Sequence, residues 1–174
     1  MVYLLVALGF IFFAGVAMTI NESLWNNTIT LICLIISGLV GAIGGVPLGV
    51  MVMDQAGKAG EFAWYFIFAG MWIVFVVTML ILRLLTDRIS RIQVRFLPIV
   101  DKMGGWLTGV FVATMLEAFA AYTLLVAPIQ AGAWQATDLK DVAHVLKMNR
   151  AAGPFTSVLH TVRKADGIDY PIYE

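Results

Sequence analysis

Long apolar stretches separated by short polar connectors are the dominant pattern of this 174-residue chain. Four stretches are candidates for crossing a bilayer, at residues 2–20, 28–53, 62–85 and 103–129. A helix needs about 20 mostly apolar residues to cross the hydrocarbon core. None of the four contains Lys or Arg before its last turn. The pattern predicts an all-α membrane protein with about four transmembrane helices in residues 1–129.

The first stretch also bears on processing of the chain. A cleaved signal peptide opens with basic residues and ends at a small-residue cleavage site. Residues 1–20 contain no Lys or Arg, so we expect this stretch to remain as the first span.

The connector at residues 86–102 is the most basic part of the chain. On a helix, Leu85, Ile89, Ile92 and Phe96 would share one face with arginines beside it, which is typical of an amphipathic helix at the membrane surface. We expect Pro98 to end this helix and residues 101–105 to turn into the last span. Five basic side chains are predicted to anchor the protein or to contact lipid headgroups: Arg83, Arg88, Arg91, Arg95 and Lys102.

The same charges predict an orientation. Basic connectors lie on the cytoplasmic side of membranes, so four crossings would leave both termini outside. Three basic residues of the C-terminal segment would then lie outside as well: Lys140, Lys147 and Arg150. The orientation therefore stays open. Residues 130–174 are predicted to form a polar tail that is too short for a robust core of its own.

Composition agrees with a membrane protein. Hydrophobic residues make up 61% of the chain and charged residues 13%, and the mean hydropathy is +0.91. Soluble domains have about 25% charged residues. Eleven basic and eleven acidic side chains balance to zero, so nothing in the net charge favours nucleic acid as a partner. The bilayer is the expected environment.

Small residues recur at every fourth position in two of the spans. Such residues share one helix face, and glycine there lets another backbone approach closely. Either the two ridges build the bundle of one chain, or they pack on a second copy or a partner helix. The predicted packing residues are Ser37, Gly41, Gly45 and Gly49 in the second span and Gly105, Gly109 and Ala113 in the fourth.

Two features could belong to a transport pathway. Pro47 follows Gly44 and Gly45 in the second span, and proline removes a helical hydrogen bond, which predicts a kink or a break. Glu117 is an acid near the middle of the predicted fourth span, where charge is costly. It could be neutral and hydrogen-bonded to Ser37, Thr78 or Thr114, line an aqueous cavity, or conduct ions or protons.

Catalytic and cofactor motifs are missing from the sequence. There is no phosphate loop, dinucleotide fingerprint, GxSxG or HExxH sequence, and each of these would indicate a specific chemistry. The single cysteine, Cys33, and the two histidines, His144 and His160, form no metal-binding pattern. We predict no catalytic residues, no metal and no cofactor, and expect a protein that is not an enzyme.

The order of these parts resembles the colicin V production protein (CvpA) family of bacterial inner-membrane proteins. The likeness covers residues 1–129. It depends on Arg83 at the end of the third span and on the Asp101–Gly105 turn into a Gly-rich fourth span. The basic Arg-Gly segment that family members have soon after the first span is replaced here by residues 21–27. The resemblance implies an inner-membrane location and a role in colicin V production or envelope maintenance, and it supplies no catalytic residue.

Two functional hypotheses follow. The first is a scaffold or accessory subunit of a membrane assembly, forming a homo-oligomer or a larger complex. The alternative is a channel or transporter component that uses Glu117 and a broken second span.

Overall fold

The computed structural model describes residues 2–55, 63–89 and 97–126. Four helices account for nearly all of them: α1 (Val2–Thr19), α2 (Leu24–Gln55), α3 (Ala63–Ile89) and α4 (Pro98–Val126). No strand occurs in these three ranges. The prediction of an all-α protein is therefore confirmed.

Three of the helices are long and apolar enough to cross a membrane: Leu24–Gln55, Tyr65–Arg88 and Pro98–Leu124. α1 is apolar as well, but its segment Val6–Thr19 is shorter than the 18 residues expected of a spanning helix. Large apolar side chains point outward from all four helices, as Phe10, Ile32, Ile73 and Leu107 illustrate. In water such a surface would be unusually apolar, whereas in a bilayer it meets hydrocarbon. The structure is thus consistent with the predicted membrane class, with three helices that are long and apolar enough to span.

Helix starts differ from the predicted ones because local capping was overlooked. α2 begins at Leu24, four residues before the predicted 28, and Ser23 caps it by accepting a hydrogen bond from the Asn26 amide at 3.3 Å. α4 begins at Pro98. Proline suits a first helical position because its fixed φ is helical and its missing N–H would have no partner there. The predicted turn at residues 101–105 is wrong, because these residues are helical. Residues 90–96, which would contain the end of the helix that Pro98 was predicted to terminate, lie outside the described residues.

A separate helix over residues 86–102 was predicted, but both ends of this segment belong to other helices. α3 continues to Ile89, and residues 98–102 form the first turn of α4. Arg91 and Arg95 lie outside the described residues. So do residues 127–129 of the predicted fourth span and the whole predicted tail, 130–174.

The second span is continuous, so the break required by the transport alternative is wrong. α2 is one helix of 32 residues with Pro47 inside it. Pro47 is exposed on the outer side of the helix, while Gly45 and Gly49 are buried. Packing on the inner side supports the helix through the proline, which is how proline is tolerated in transmembrane helices.

The glycine ridge of α2 packs on α3. A Cβ on Gly49 would lie 2.5 Å from the Cα of Ile67, and a Cβ on Gly45 would lie 2.7 Å from the amide nitrogen of Met71. Gly41 meets Phe75, and Ser37 lies beside Met79. From one contact to the next, the residue number falls by four on α2 and rises by four on α3. The two helices are therefore antiparallel, with their backbones in close contact.

The ridge of α4 packs on α1 and on the turn that follows α1. A Cβ on Gly15 would lie 3.1 Å from Ala113, and one on Gly109 would lie 2.9 Å from the Thr19 hydroxyl. Leu8 is buried with Ala120 and Ala121. α1 is thus antiparallel to α4. Both ridges pack within one chain.

Aromatic side chains fill the space between the two helix pairs. The rings of Phe75 on α3 and Phe119 on α4 stack with centroids 4.4 Å apart. Trp72 meets both rings edge-on, and its indole N–H donates to the Thr123 hydroxyl at 3.2 Å. This cluster joins the α2–α3 pair to α4.

The contact between α2 and α3 predicts that Gly45→Ala destabilises the protein by about 1–3 kcal/mol, the usual cost of overpacking. The added methyl group would meet backbone atoms of Met71, which cannot move aside as a side chain can. Gly44→Ala is the matched control, because a Cβ there would make only an ordinary contact, 3.6 Å from Val74. Thermal unfolding in detergent measures both variants, and equal losses would contradict this packing.

Candidate functional site

Polar side chains gather at one end of the bundle, where α1 and α3 end and α2 and α4 begin. We call this group the polar junction. Its helices come from four separate parts of the sequence, and its contacts span up to 90 positions. The junction consists of Thr19, Glu22, Ser23, Asn26, Asn27, Thr30, Arg83, Asp87 and Asp101.

Asn27 is the most buried member, with 0% of its surface exposed. Its Nδ2 donates to the Thr19 carbonyl at the end of α1 (2.9 Å) and to the Gly105 carbonyl in α4 (2.8 Å). Both partners are acceptors, so the Nδ2 side of the amide faces them, and the buried Oδ1 accepts no hydrogen bond from the described residues. One side chain on α2 therefore holds α1 and α4 together.

Asp101 supplies a cap to a helix other than its own. Its Oδ1 accepts the Leu24 amide at 3.0 Å, while Ser23 accepts the Asn26 amide. The first N–H groups of a helix lack internal partners, and an anion at that end is stabilising. Asp101 therefore fixes the start of α2 against the start of α4.

Arg83 joins α3 to α2. Its guanidinium donates to Asn26 Oδ1 at 2.9 Å and to the Thr30 hydroxyl, and its Nε lies 3.5 Å from Asp87 Oδ1. Asn26 in turn donates to Glu22. The planar fork of arginine suits several simultaneous acceptors. The structure therefore places the Arg83 guanidinium against protein groups of α2 and α3, while the predicted role in anchoring or headgroup contact stays a prediction.

Glycine makes the junction possible. A Cβ on Gly105 would lie 2.6 Å from the Glu22 carbonyl, and one on Gly104 would lie 3.0 Å from the Leu24 side chain. The backbone of α4 can therefore approach the α1–α2 turn closely enough for Asn27 to reach the Gly105 carbonyl.

The other predicted anchoring residues have different surroundings. Arg88 and Lys102 are exposed at the same end of the bundle as the polar junction. Together with Arg83 they are the basic residues in the described parts of the chain. Their exposure is compatible with a place at the membrane surface, where basic side chains reach headgroups.

Glu117 lies apart from the junction. It is the twentieth of the 29 residues of α4, so it is nearer the far end than the predicted middle. Its carboxylate makes no hydrogen bond or ion pair with any described residue. The Ser37 hydroxyl, a predicted partner, donates to the Cys33 carbonyl at 2.7 Å.

Sequence reasoning missed the central role of Asn27, together with the parts played by Thr19 and Asn26. The pair Asn26-Asn27 was assigned to a connector, although both residues are helical and one is fully buried. Two amides directly before an apolar span were a usable signal, because a buried polar side chain needs partners.

The arrangement offers helix-joining contacts rather than reactive groups. Among the described residues no three His, Cys, Asp or Glu side chains lie close enough to hold a metal ion. Fold and site together define an all-α protein of the membrane class with a polar, hydrogen-bonded end. No family model, curated protein or solved structure matches the chain.

The contacts of Arg83 predict that Arg83→Ala lowers the free energy of unfolding by about 1–2 kcal/mol, because α2 loses a charged donor. Arg83→Lys should restore only part of the lost stability, since the lysine ammonium cannot donate to several acceptors in the planar geometry of a guanidinium. Arg88→Ala, one turn further along and exposed, is the control. Unfolding is measured in bicelles with and without anionic lipid. A loss that disappears without anionic lipid would show that Arg83 acts on headgroups.

Proposed function

We propose that this chain is a multi-pass protein of the bacterial inner membrane, with α1 as a fourth span. In this proposal it acts as a non-enzymatic scaffold or accessory subunit of a membrane assembly, as a homo-oligomer or within a larger complex. The observation that carries the proposal is the polar junction. Its side chains join helix ends to one another, which suits a rigid bundle that others bind.

The fourth span is supported by the position of α1. Its contacts with α4 run from Thr19 beside Gly109, through Gly15 beside Ala113, to Leu8 beside Ala121. α1 therefore covers the same depth of the bundle as the apolar part of α4. Its outward side chains, such as Phe10 and Phe13, would therefore face the same lipid as those of α4.

The resemblance to the colicin V production family adds a more specific proposal. Arg83, Asp101 and Gly105, which carry the resemblance in the sequence, all belong to or border the polar junction. Their shared position supports a common structural role. We therefore propose a part in colicin V production or in envelope maintenance.

The transport alternative has lost one of its two supports. It required a broken second span to present unpaired backbone groups to a substrate, and α2 is continuous through Pro47. Glu117 is left as the feature that could serve conduction, and no described acid, histidine or base accompanies it at its depth.

Four spans predict a defined pattern of labelling from the two sides of the membrane. Single cysteines replacing the exposed residues Asn21 and Lys102 should react from the cytoplasmic side, and one replacing Asp54 from the other side. A tag before α1 should share the side of Asp54. Cys33 is buried and is first replaced by Ala. A tag on the side of Asn21 would contradict a crossing by α1.

The scaffold function predicts that the tagged protein, extracted gently from its native membrane, migrates as a stable assembly larger than one chain. Crosslinking before extraction and mass spectrometry of the purified band identify its members. An unrelated tagged four-span protein is the control for adventitious capture. A lone monomer that crosslinks to nothing would contradict the proposed function.

A further inference from the structure

Exposed apolar side chains lie outside the polar junction, on the same turns of α1, α3 and α4. Three of them are largely uncovered: Met18 (80% exposed), Leu84 (65%) and Met103 (72%). Each is next in sequence to a polar residue at this end of the bundle, such as Thr19 and Arg83. These turns are thus polar toward the bundle and apolar away from it. We call the outer set the apolar collar, and its members are Met18, Ile20, Leu84, Leu85 and Met103.

The collar continues the outer apolar faces of the spanning helices. Leu80 and Leu107, one turn from Leu84 and Met103 toward the middle of the bundle, are exposed as well. On α4 the apolar exterior extends in the other direction to Ile99, in the first turn. These residues belong to two helices that are long and apolar enough to cross a membrane. The collar is therefore continuous with the surface that would face hydrocarbon.

Polar side chains replace apolar ones directly beyond the collar. Asn21 follows Ile20, and Asp87 lies two residues after Leu85, and both polar side chains are exposed. Lys102, also exposed, lies directly outside the α4 member of the collar. The change occurs at the same end of three helices. It is the pattern expected where hydrocarbon gives way to headgroups, which charged side chains reach while their stems stay in apolar surroundings.

We propose that the apolar collar is covered by phospholipid acyl chains, and that the headgroups begin at the level of Asn21, Asp87 and Lys102. The inner contacts of the polar junction then lie beneath the membrane surface. Gly105, whose carbonyl accepts from Asn27, is three residues past Lys102, or about 4.5 Å deeper along α4 at 1.5 Å per residue. This placement uses the membrane part of the proposed function and is independent of the scaffold part.

The contacts of Arg83 agree with a place beneath the surface. Its Nε lies 3.5 Å from Asp87 Oδ1, and Asp87 is one turn nearer the end of α3. Its Nη2 donates to Asn26 Oδ1 at 2.9 Å, near the start of α2. A charged side chain within a membrane pairs with protein groups or reaches toward the interface, and Arg83 does both.

Lipid suits the collar better than other parts of the chain or a second protein. Seven residues, 90–96, join α3 to α4, which is too few to cover sites on three helices. Residues 127–174 follow Val126, which is 24 residues after Lys102 in α4, or about 36 Å away at the opposite end. A second protein would cover one side of the bundle, whereas the collar belongs to α1, α3 and α4. Fluid acyl chains reach all of its members.

Spin labels test this placement in phosphatidylcholine liposomes, with Cys33→Ala as the background because Cys33 is a free thiol. Met18→Cys, Leu84→Cys and Met103→Cys each receive a nitroxide. We expect each label to collide more often with oxygen, which concentrates in hydrocarbon, than with a polar nickel chelate, which is costly to transfer out of water. Three sites on three helices keep the test decisive if one variant fails to fold.

Two further positions supply the matched references. Phe111 is exposed on α4 two turns deeper than Met103, so Phe111→Cys is the hydrocarbon reference. Asn21→Cys, on the exposed turn after α1, is the water reference and should show the opposite preference. The oxygen-to-nickel ratio of the collar labels should match that of Phe111→Cys and exceed that of Asn21→Cys.

Collar labels that collide with nickel as often as the label at Asn21→Cys would overturn the proposal. Weak collisions with both reagents would also overturn it, because protein would then cover the collar: residues 90–96 or 127–174, a second copy or another protein. Frequent nickel collisions at Phe111→Cys as well would refute the membrane spans themselves. Hydrocarbon-like collar labels on a protein that forms no assembly would refute the scaffold function and leave this placement standing.

Discussion

The amide of Asn27 is the interaction on which the arrangement of the helices depends. Inside a bilayer little water reaches a polar group, so protein partners are strongly favoured. Asn27 is fully buried, and its Nδ2 donates to one carbonyl at the end of α1 and another in α4, while its Oδ1 accepts no hydrogen bond from the described residues. It can do so only if three helices meet at one point. Asp101 and Arg83 then place α4 and α3 against the start of α2.

Glycine sets the distances that these polar contacts require. Gly105 and Gly109 let α4 reach the end of α1, and Gly45 and Gly49 let α2 lie on the backbone of α3. Dispersion contacts between closely packed backbones are a main source of helix association in lipid, where the hydrophobic effect between helices is absent. The polar junction defines which helix ends meet, and the glycines define how closely the helices lie beyond it. The described helices that result have a largely apolar exterior.

The sequence was informative about what repeats and uninformative about what is brought together by folding. Hydrophobic runs predicted four helices, and the four-residue spacing predicted which faces would pack. Pro98 was assigned to a helix end, because proline is found both after helices and at their first position and only the fold distinguishes the two. The contacts of Arg83 with Asn26 and Thr30 were not predicted, since these acceptors are more than 50 positions away. The place of Asn27 likewise depends on Gly105, 78 positions along the chain.

The most direct measurement is the free energy of unfolding of Asn27→Leu, which keeps a side chain of similar size but removes the amide. Asn21→Leu, on the exposed turn after α1, is the matched control. Two hydrogen bonds in a membrane are worth about 1–2 kcal/mol together, so the account predicts a loss of that size for Asn27→Leu and little change for Asn21→Leu. Equal or greater stability of Asn27→Leu, with α1 still packed on α4, would contradict the account.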